Sequence, residues 1–551
     1  MKTMPSAVSL LLALATSLAA QSPTDLQGLW SATLRSGSDI RGPLLIYRTA
    51  DGWRADIAGF SVPARRVGQS FAFELPDNKG SFRGGHWIQP DRFATPVTLE
   101  PDGKERWRGT VTPLEDRTTF FMPVTRQPDG TLRTYLRNPE RNFGRFIRVS
   151  RLEVNGKDVR LVGRDTIQGR YDEGTITMPL VGATFTFTRA TDSTNAFYPR
   201  GARPARYRYS PPLALNDDWP VATVESVGIS RDAIERLVQM LIDMPMDSVN
   251  TLQIHSLLIA RHGRLVVEEY FHGYHRDQPH DTRSASKSWT ATLIGAAMRA
   301  GVPLRTSTPV YQMLLDSLPA NLDPQKRAMT LEHLLTMTAG FNCDEDDPTS
   351  ADEDQIAQQD SIRDWYRHTL DVRLISQPGE KIFYCSAEPN LAAGMLAKVA
   401  HEHLPEMFER LIAQPLRVHD YYIGLTPLGE AYGGGGHRFR PRDFLKLPQL
   451  MVNGGKWNGK QLVGSEWVRQ STAPLRDIFP GQQWGYLWNS AEYAYNGKKT
   501  RAFFAGGNGG QVFMGFPELD LVVGFTGGNY SAAAFPSQRT LLQEYLLPAV
   551  K

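Results

Sequence analysis

Between Leu26 and Thr188 apolar and polar residues alternate over short runs, as in LWSATL (29–34), PLLIYR (43–48), FAFEL (71–75), RWRGTVT (106–112), TTFFMPV (118–124) and ATFTFT (183–188). A period of two sends successive side chains to opposite faces of a strand. Asp51-Gly52, Asp102-Gly103, Asp129-Gly130 and Asn155-Gly156 punctuate the runs. An Asx-Gly dipeptide between alternating segments signals a tight hairpin. Helical periodicity is nearly absent, and there is no fixed-period repeat. The pattern predicts an antiparallel all-β region over residues 25–190, a barrel or a sandwich. Its Arg and Trp residues could line a binding face, but it reads first as an accessory domain.

Residues 191–216 are rich in Pro, Arg and Tyr and lack periodicity, which is linker composition. Over 217–551 the texture changes to longer helical patterns with a few strands. A helix is expected after Ser230 as N-cap, another over Trp289–Ala300 ended by Gly301, a short one over Leu331–Met337, and a last one from Phe535 to about Leu547. Strands are expected at His255–Ala260 and Leu265–Tyr270 around the turn Arg261-His262-Gly263, and at Gln511–Gly515 and Leu519–Phe525 around Pro517. Strands at both ends of a region with helices between them predict an α+β domain whose sheet joins sequence-distant strands.

Composition narrows the class. The 551 residues are 41% hydrophobic and 22% charged, near the globular average, which excludes disorder or coiled coil as a whole-chain description. The net charge is +3, so no strong field gathers nucleic acid or a membrane surface. Lys2 followed by the apolar stretch Val8–Ala20 has the form of a signal peptide over residues 1–20, with Ser17 and Ala19, or Ala19 and Ala20, near the cut. No other stretch reaches the length of a membrane span. The expectation is therefore an exported protein, periplasmic or extracellular. Two cysteines exclude a disulfide scaffold and a four-Cys zinc site, and export makes a Cys343–Cys385 bond permissible.

The chemistry starts at Ser284-Ala-Ser-Lys287, an S-x-x-K at an expected helix start. Positions i and i+3 share a helix face, so the Ser284 hydroxyl lies beside the Lys287 amine, whereas Ser286 and Lys287 do not face each other. A hydroxyl becomes a competent nucleophile when a neighbouring base takes its proton. The helix N-terminus adds free N–H groups for an anionic intermediate. Two further segments carry related signals. Tyr384-Cys-Ser386 follows the Pro378-Gly379 turn, and Ala505-Gly-Gly-Asn508-Gly509-Gly510-Gln511 is a Gly-rich entry into a strand.

With these segments in place, residues 217–548 resemble the serine hydrolase family that holds class C β-lactamases, penicillin-binding D,D-peptidases, related esterases and 6-aminohexanoate-dimer hydrolases. The resemblance is carried by HSLLIARHGRLVVEEYFHGY (255–274), TRSASKSWTATLIGAAMRAG (282–301), MTLEHLLTMTAGF (329–341), PGEKIFYCSAEPNLAAGML (378–396), YGGGGHRFRPRDFLKL (432–447), GYLW (485–488) and GGQVFMGFPELDLVV (509–523), in the family's order. It implies an antiparallel sheet flanked by helices, with an all-helical subregion. It implies Ser284 as the acylated nucleophile, with Lys287 and Tyr384 sharing the acid–base work. Ser386 would bond the substrate or Lys287, and the N–H groups of Ser284 and Gln511 would form the oxyanion hole. Asn508-Gly509-Gly510 stands where the β-lactamases and D,D-peptidases of the family usually carry Lys-Thr-Gly or His-Thr-Gly, and Tyr-x-Ser stands for Tyr-x-Asn. A substrate carboxylate would lack its cation there, which favours a neutral ester or amide over β-lactams and D-Ala-D-Ala peptides.

The expected function is an esterase or amidase working through an acyl-enzyme. The alternatives are a penicillin-recognising D,D-peptidase or β-lactamase, and a catalytically idle peptide- or glycan-binding protein. No cofactor or metal is expected, and the substrate would be small or peptide-like. No G-x-S-x-G or H-E-x-x-H occurs. His272, His275 and His280, and His401-Glu402-His403, lack convincing ligand spacing. The acidic run Asp344–Asp354 reads as a solvated loop beside the active site.

Overall fold

The computed structural model describes residues 25–191, 196–317, 322–532 and 535–551. The expected signal peptide lies outside the described residues. Among those described, no helix is long and apolar enough to cross a membrane.

The alternating N-terminal runs form antiparallel strands, but these divide between two structures. Gly28–Gly37, Glu115–Arg126, Leu132–Thr134, Val149–Asn155, Asp158–Gly163, Thr166–Asp172, Thr175–Leu180 and Ala183–Arg189 close into a barrel. Its interior is filled by Trp30, Phe120, Phe185 and Phe187, with the rings of Phe120 and Phe185 edge to face at 5.0 Å, as a small barrel without an aqueous lumen requires. Residues 42–111, between the first two barrel strands, form a separate antiparallel meander. All four Asx-Gly pairs sit at strand connections. At Asn155-Gly156, for example, the strands Val149–Asn155 and Asp158–Gly163 meet and Gly156 adopts φ +60°, a conformation that favours glycine.

The meander reaches beyond its own region. Its strand Phe93–Pro96 pairs with Tyr421–Gly424, matching Ala94 to Ile423 and Phe93 to Gly424. The same ladder continues through Arg438–Phe439 to His280–Asp281, the residues just before the S-x-x-K turn. The segment with linker composition is also tied down. It carries no helix or strand in its described part, yet Tyr207 and Tyr209 are buried and donate to the Glu269 carboxylate and to the Val266 carbonyl at 2.6 and 2.8 Å.

The C-terminal region is α+β. An eight-stranded antiparallel sheet runs in the order Arg264–Tyr270, Ile254–Arg261, Leu521–Gly527, Gln511–Phe516, Lys498–Gly507, Asn489–Tyr495, Gln482–Trp484, Arg476–Phe479. Its second and third strands are about 260 residues apart, Ile259 opposite Val523. Ile254–Arg261 is buried at every position, because both faces are covered. Leu257 and Ile259 pack with Ile234, Leu237 and Leu546 of the terminal helices. Leu258 and Ala260 point the other way, into a core with Trp289, Leu293 and Leu391. The expected helices form at Arg231–Ile242, capped by the Ser230 side chain accepting from Ala233 N–H, and at Lys287–Arg299, with Gly301 beyond its end at φ +97°.

Candidate functional site

Ser284 sits in a single 3-10 turn, Arg283–Ser286, that feeds the helix Lys287–Arg299. The turn is fixed from three sides. Thr282 donates through both N–H and Oγ1 to the His437 carbonyl, at 3.0 and 2.8 Å. The Asp281 carboxylate accepts from Arg283 N–H at 2.9 Å. The Arg283 carbonyl accepts from Gly436 N–H at 3.1 Å. Arg283 itself is held at φ +50°, a sparsely populated region for a side-chain-bearing residue, sustained by these neighbours. Burial pushes the Asp281 carboxyl up, but Arg438 and Arg283 outweigh it and hold the group below the usual carboxylate value.

Lys287 is 1% exposed, and its Nζ donates to Ser284 Oγ at 2.9 Å and to the Gly434 carbonyl at 2.6 Å. The i, i+3 spacing thus brings amine and hydroxyl together as expected. Ser286 turns away, within 2.5 Å of Thr282 Oγ1. The Gly434 carbonyl is a partner that sequence reasoning did not identify. Its signal was the run of four glycines, Gly433 to Gly436. A Cβ at Gly434 would lie 2.4 Å from the Tyr432 hydroxyl and 2.5 Å from the Ser386 carbonyl, so only glycine brings this backbone to the lysine.

The ring of Tyr384 lies under Lys287 Nζ, 4.8 Å from nitrogen to centroid, and against Trp484 at 6.1 Å. It is partly exposed, at 38%. Ser386 is buried at the N-terminus of the helix Ala387–Ala400 and faces the Tyr432 hydroxyl, which donates to the Glu353 carboxylate at 2.7 Å. Lys287 has no hydrogen bond to Ser386.

The Gly-rich entry departs from its expected arrangement. The strand beside the nucleophile turn is Lys498–Gly507, and a Cβ on Gly507 would stand 2.4 Å from the Thr282 carbonyl and 3.2 Å from Ala285 N. Asn508 follows directly and lines the same cavity as Ser284. Its side-chain oxygen accepts from Ser531 N–H at 2.7 Å. Gly509, Gly510 and Gln511, expected at the substrate, serve the sheet instead. The Gly509 carbonyl accepts from Asn529 N–H at 3.1 Å and the Gly510 carbonyl from Gln538 at 2.7 Å. Gln511 is fully buried, its amide donating to the Gly527 carbonyl at 2.8 Å and accepting from Gly527 N–H at 3.2 Å. The Gly507–Asn508 backbone is thus the part of this entry that lies against the Ser284 turn.

The cavity over Ser284 holds about 330 Å³. Besides Asn508 and the glycine run it is lined by Glu353 and Asp354 at the end of the acidic run, by Trp365, and by Asp91, Arg92 and Phe93 from the N-terminal meander. The last three had no sequence signal. Of the histidines considered as ligands, His280 Nε2 lies 2.8 Å from His255 Nδ1, His272 Nδ1 donates to the carbonyls of Ala196 and Phe197, and His403 Nε2 to the Gly429 carbonyl at 3.0 Å.

Cys343 and Cys385, 42 positions apart in the chain, are joined, which ties the Tyr384-Cys-Ser386 segment to the chain preceding the acidic run. Closing a loop of that size contributes about 4 kcal/mol in the chain-entropy account. Replacing both cysteines by serine is expected to lower unfolding free energy by about 2–4 kcal/mol, read by urea denaturation. An unchanged midpoint would show that the bond adds nothing to the native state.

The sequence model of the Beta-lactamase family matches residues 253–546. A 6-aminohexanoate-dimer hydrolase of Paenarthrobacter ureafaciens is 24% identical over 230 residues, which span 40% of this chain and 57% of that protein. Among solved structures, EstCE1, a hydrolase with promiscuous acyltransferase activity, is 17% identical with a TM-score of 0.45, covering 58% of this chain and 99% of its own. A penicillin-binding protein homologue from Caulobacter crescentus is 17% identical with a TM-score of 0.44, covering 58% of this chain and 96% of its own.

Proposed function

Since the chain belongs to the Beta-lactamase family, we propose that it is a serine hydrolase that cleaves an ester or amide bond through an acyl-enzyme on Ser284. The observation that carries this reading is the 2.9 Å contact between the wholly buried Lys287 Nζ and Ser284 Oγ. With Lys287 as the base, its Nζ takes the hydroxyl proton while Oγ attacks the carbonyl carbon, and the carbonyl π pair moves to oxygen. The Gly434 carbonyl orients the amine throughout. The N–H groups of Ser284 and Asn508 are assigned to the oxyanion, the second in place of the expected Gln511; such a donor is worth roughly 3–4 kcal/mol of transition-state stabilisation. Collapse expels the leaving group, which takes a proton from the Lys287–Tyr384 pair. Water then attacks the acyl carbon by the same route in reverse.

By the same shift that puts the Asn508 N–H at the oxyanion, Ala505 takes the first place of the Lys-Thr-Gly or His-Thr-Gly triplet, and it brings no charge for a substrate carboxylate. This supports neutral esters and amides over β-lactams and D-Ala-D-Ala peptides. The Cys343–Cys385 bond supports an exported protein, since such bonds persist in oxidising compartments.

The test is labelling with a fluorophosphonate and hydrolysis of a panel comprising a p-nitrophenyl ester, a chromogenic cephalosporin and a D-Ala-D-Ala peptide. Wild type is expected to be labelled on Ser284 and to prefer the ester, and Ser284→Ala to lose both label and turnover. Full labelling of the variant would overturn the assignment, and preferential cephalosporin turnover would establish the penicillin-recognising alternative.

A further inference from the structure

The Ser284 cavity does not end at the catalytic residues. A second cavity of about 700 Å³ lies between the N-terminal meander and the segment Ile356–Trp365. Arg92, Ala357 and Trp365 line both, so the two adjoin. Each has the size of a small-ligand pocket, roughly 300–1,000 Å³, and together they accommodate more than one acyl group.

The N-terminal wall is built rather than loose. In the turn at its tip, Gln89 N–H donates to the Phe93 carbonyl at 2.8 Å and Arg92 N–H to the Gln89 carbonyl at 3.0 Å. The Gln89 side-chain oxygen accepts from Leu114 N–H at 2.8 Å, and the Arg92 carbonyl accepts from Leu425 N–H of the catalytic region at 2.8 Å. Arg92 is held at φ +66° by these bonds. Its guanidinium has no ion pair or hydrogen bond among the described residues, and the same holds for the side chains of Asn78 and Ser81 on the outer wall. Asp360 stands on the opposite wall with Ile356 and Ile362, beside Gln359, whose amide already donates to the Pro348 and Gln355 carbonyls at 2.9 and 3.0 Å. Unpaired donors and acceptors interspersed with apolar side chains suit a chain that offers its own hydrogen-bonding groups; an alkyl chain would leave them unsatisfied.

We infer that the N-terminal meander is half of an extended substrate cleft that runs from Ser284 past Arg92 into the outer cavity, and that the cleft holds an elongated, hydrogen-bonding substrate of peptide-like chemistry. The inference rests on Ser284 being the nucleophile. The meander is then a specificity element of the hydrolase, which explains why it is joined to the catalytic region by strand pairing and not by a tether alone.

Oligoglycine substrates avoid any choice of stereochemistry. Two series place the chain on either side of the scissile bond: p-nitrophenyl esters of N-acetylated oligoglycines, and acetate esters of hydroxyacetyl-oligoglycine amides, each with one to four glycines. A third series varies the acyl carbon number of plain p-nitrophenyl esters. In wild type, kcat/KM is expected to rise at least tenfold from the shortest to the longest member of one oligoglycine series, mainly through KM. Ala357→Trp, which plugs the junction from an exposed position, is expected to remove that gain, and Arg92→Ala to reduce it, both being checked for folding by thermal denaturation. A flat oligoglycine profile, a gain that survives Ala357→Trp, or a rise with alkyl length alone would overturn the inference. Wild-type turnover by Ser284→Ala would instead overturn the nucleophile assignment, so the two failures are distinguishable.

Discussion

Lys287→Ala is expected to lower kcat on an ester by about 10³-fold or more, within the span from ordinary acid–base catalysis to complete loss of the base that activates a serine. Among the described residues, the basic side chain hydrogen-bonded to Ser284 Oγ is Lys287, with Nζ at 2.9 Å. The substitution also strands the Gly434 carbonyl, which now accepts from Nζ at 2.6 Å. Leaving such a buried acceptor unpaired costs about 1–3 kcal/mol, so thermal denaturation must show that the variant is folded at the assay temperature. Tyr384→Phe is expected to fall by about 10²-fold, the lower end of an acid–base contribution. Its ring keeps the packing against Lys287 and Trp484, so the loss reports the hydroxyl alone. Steady-state kinetics decide the matter. Near-wild-type kcat/KM in both variants would refute shared acid–base work by this pair.

Acid is expected to destabilise the protein from near pH 6.5 downward, well before ordinary carboxylates titrate. Burial lowers His86, His280 and His403 to about 4, and His272 and His437 to about 3. His437 shows the cause directly: its Nδ1 accepts from Gly424 N–H at 3.1 Å, which requires the neutral ring. The sign follows from proton uptake. Below 6.5 the unfolded chain binds protons at these rings while the folded one does not, so stability falls with pH until the folded values are reached, between about 4 and 3. At pH 5 each such ring accounts for about 2 kcal/mol, and five together approach the whole ~5–15 kcal/mol stability of a typical domain. Glu388 works in the opposite direction. Burial holds its carboxyl well above the usual range, so its protonation favours the folded state and offsets part of the loss. Urea unfolding at pH 7, 6 and 5 should show the decline, and Glu388→Gln should steepen it. A flat profile from pH 7 to 5 in both proteins would refute the account.

The sequence by itself determined what depends on neighbours along the chain. The alternating runs and Asx-Gly pairs marked the N-terminal strands and hairpins, because side-chain period and turn backbone are local properties. The helix spacing of Ser284 and Lys287 placed amine beside hydroxyl for the same reason. The ordered segments from 255 to 523 gave the family and its α+β sheet. Tertiary structure decided what depends on which distant segments meet. A pattern of two cannot state whether strands close on themselves, and one N-terminal region became a barrel with an inserted meander. The Gly434 carbonyl, 147 residues from Lys287, was invisible because a backbone acceptor has no residue signature. Register set the Gly507–Asn508 backbone against the Ser284 turn, since the strand Lys498–Gly507 ends there before the chain turns back to pair as Gln511–Phe516. The meander reached the Ser284 cavity because Phe93–Pro96 pairs with Tyr421–Gly424, a long-range match of backbone groups that the side-chain pattern of neither segment encodes.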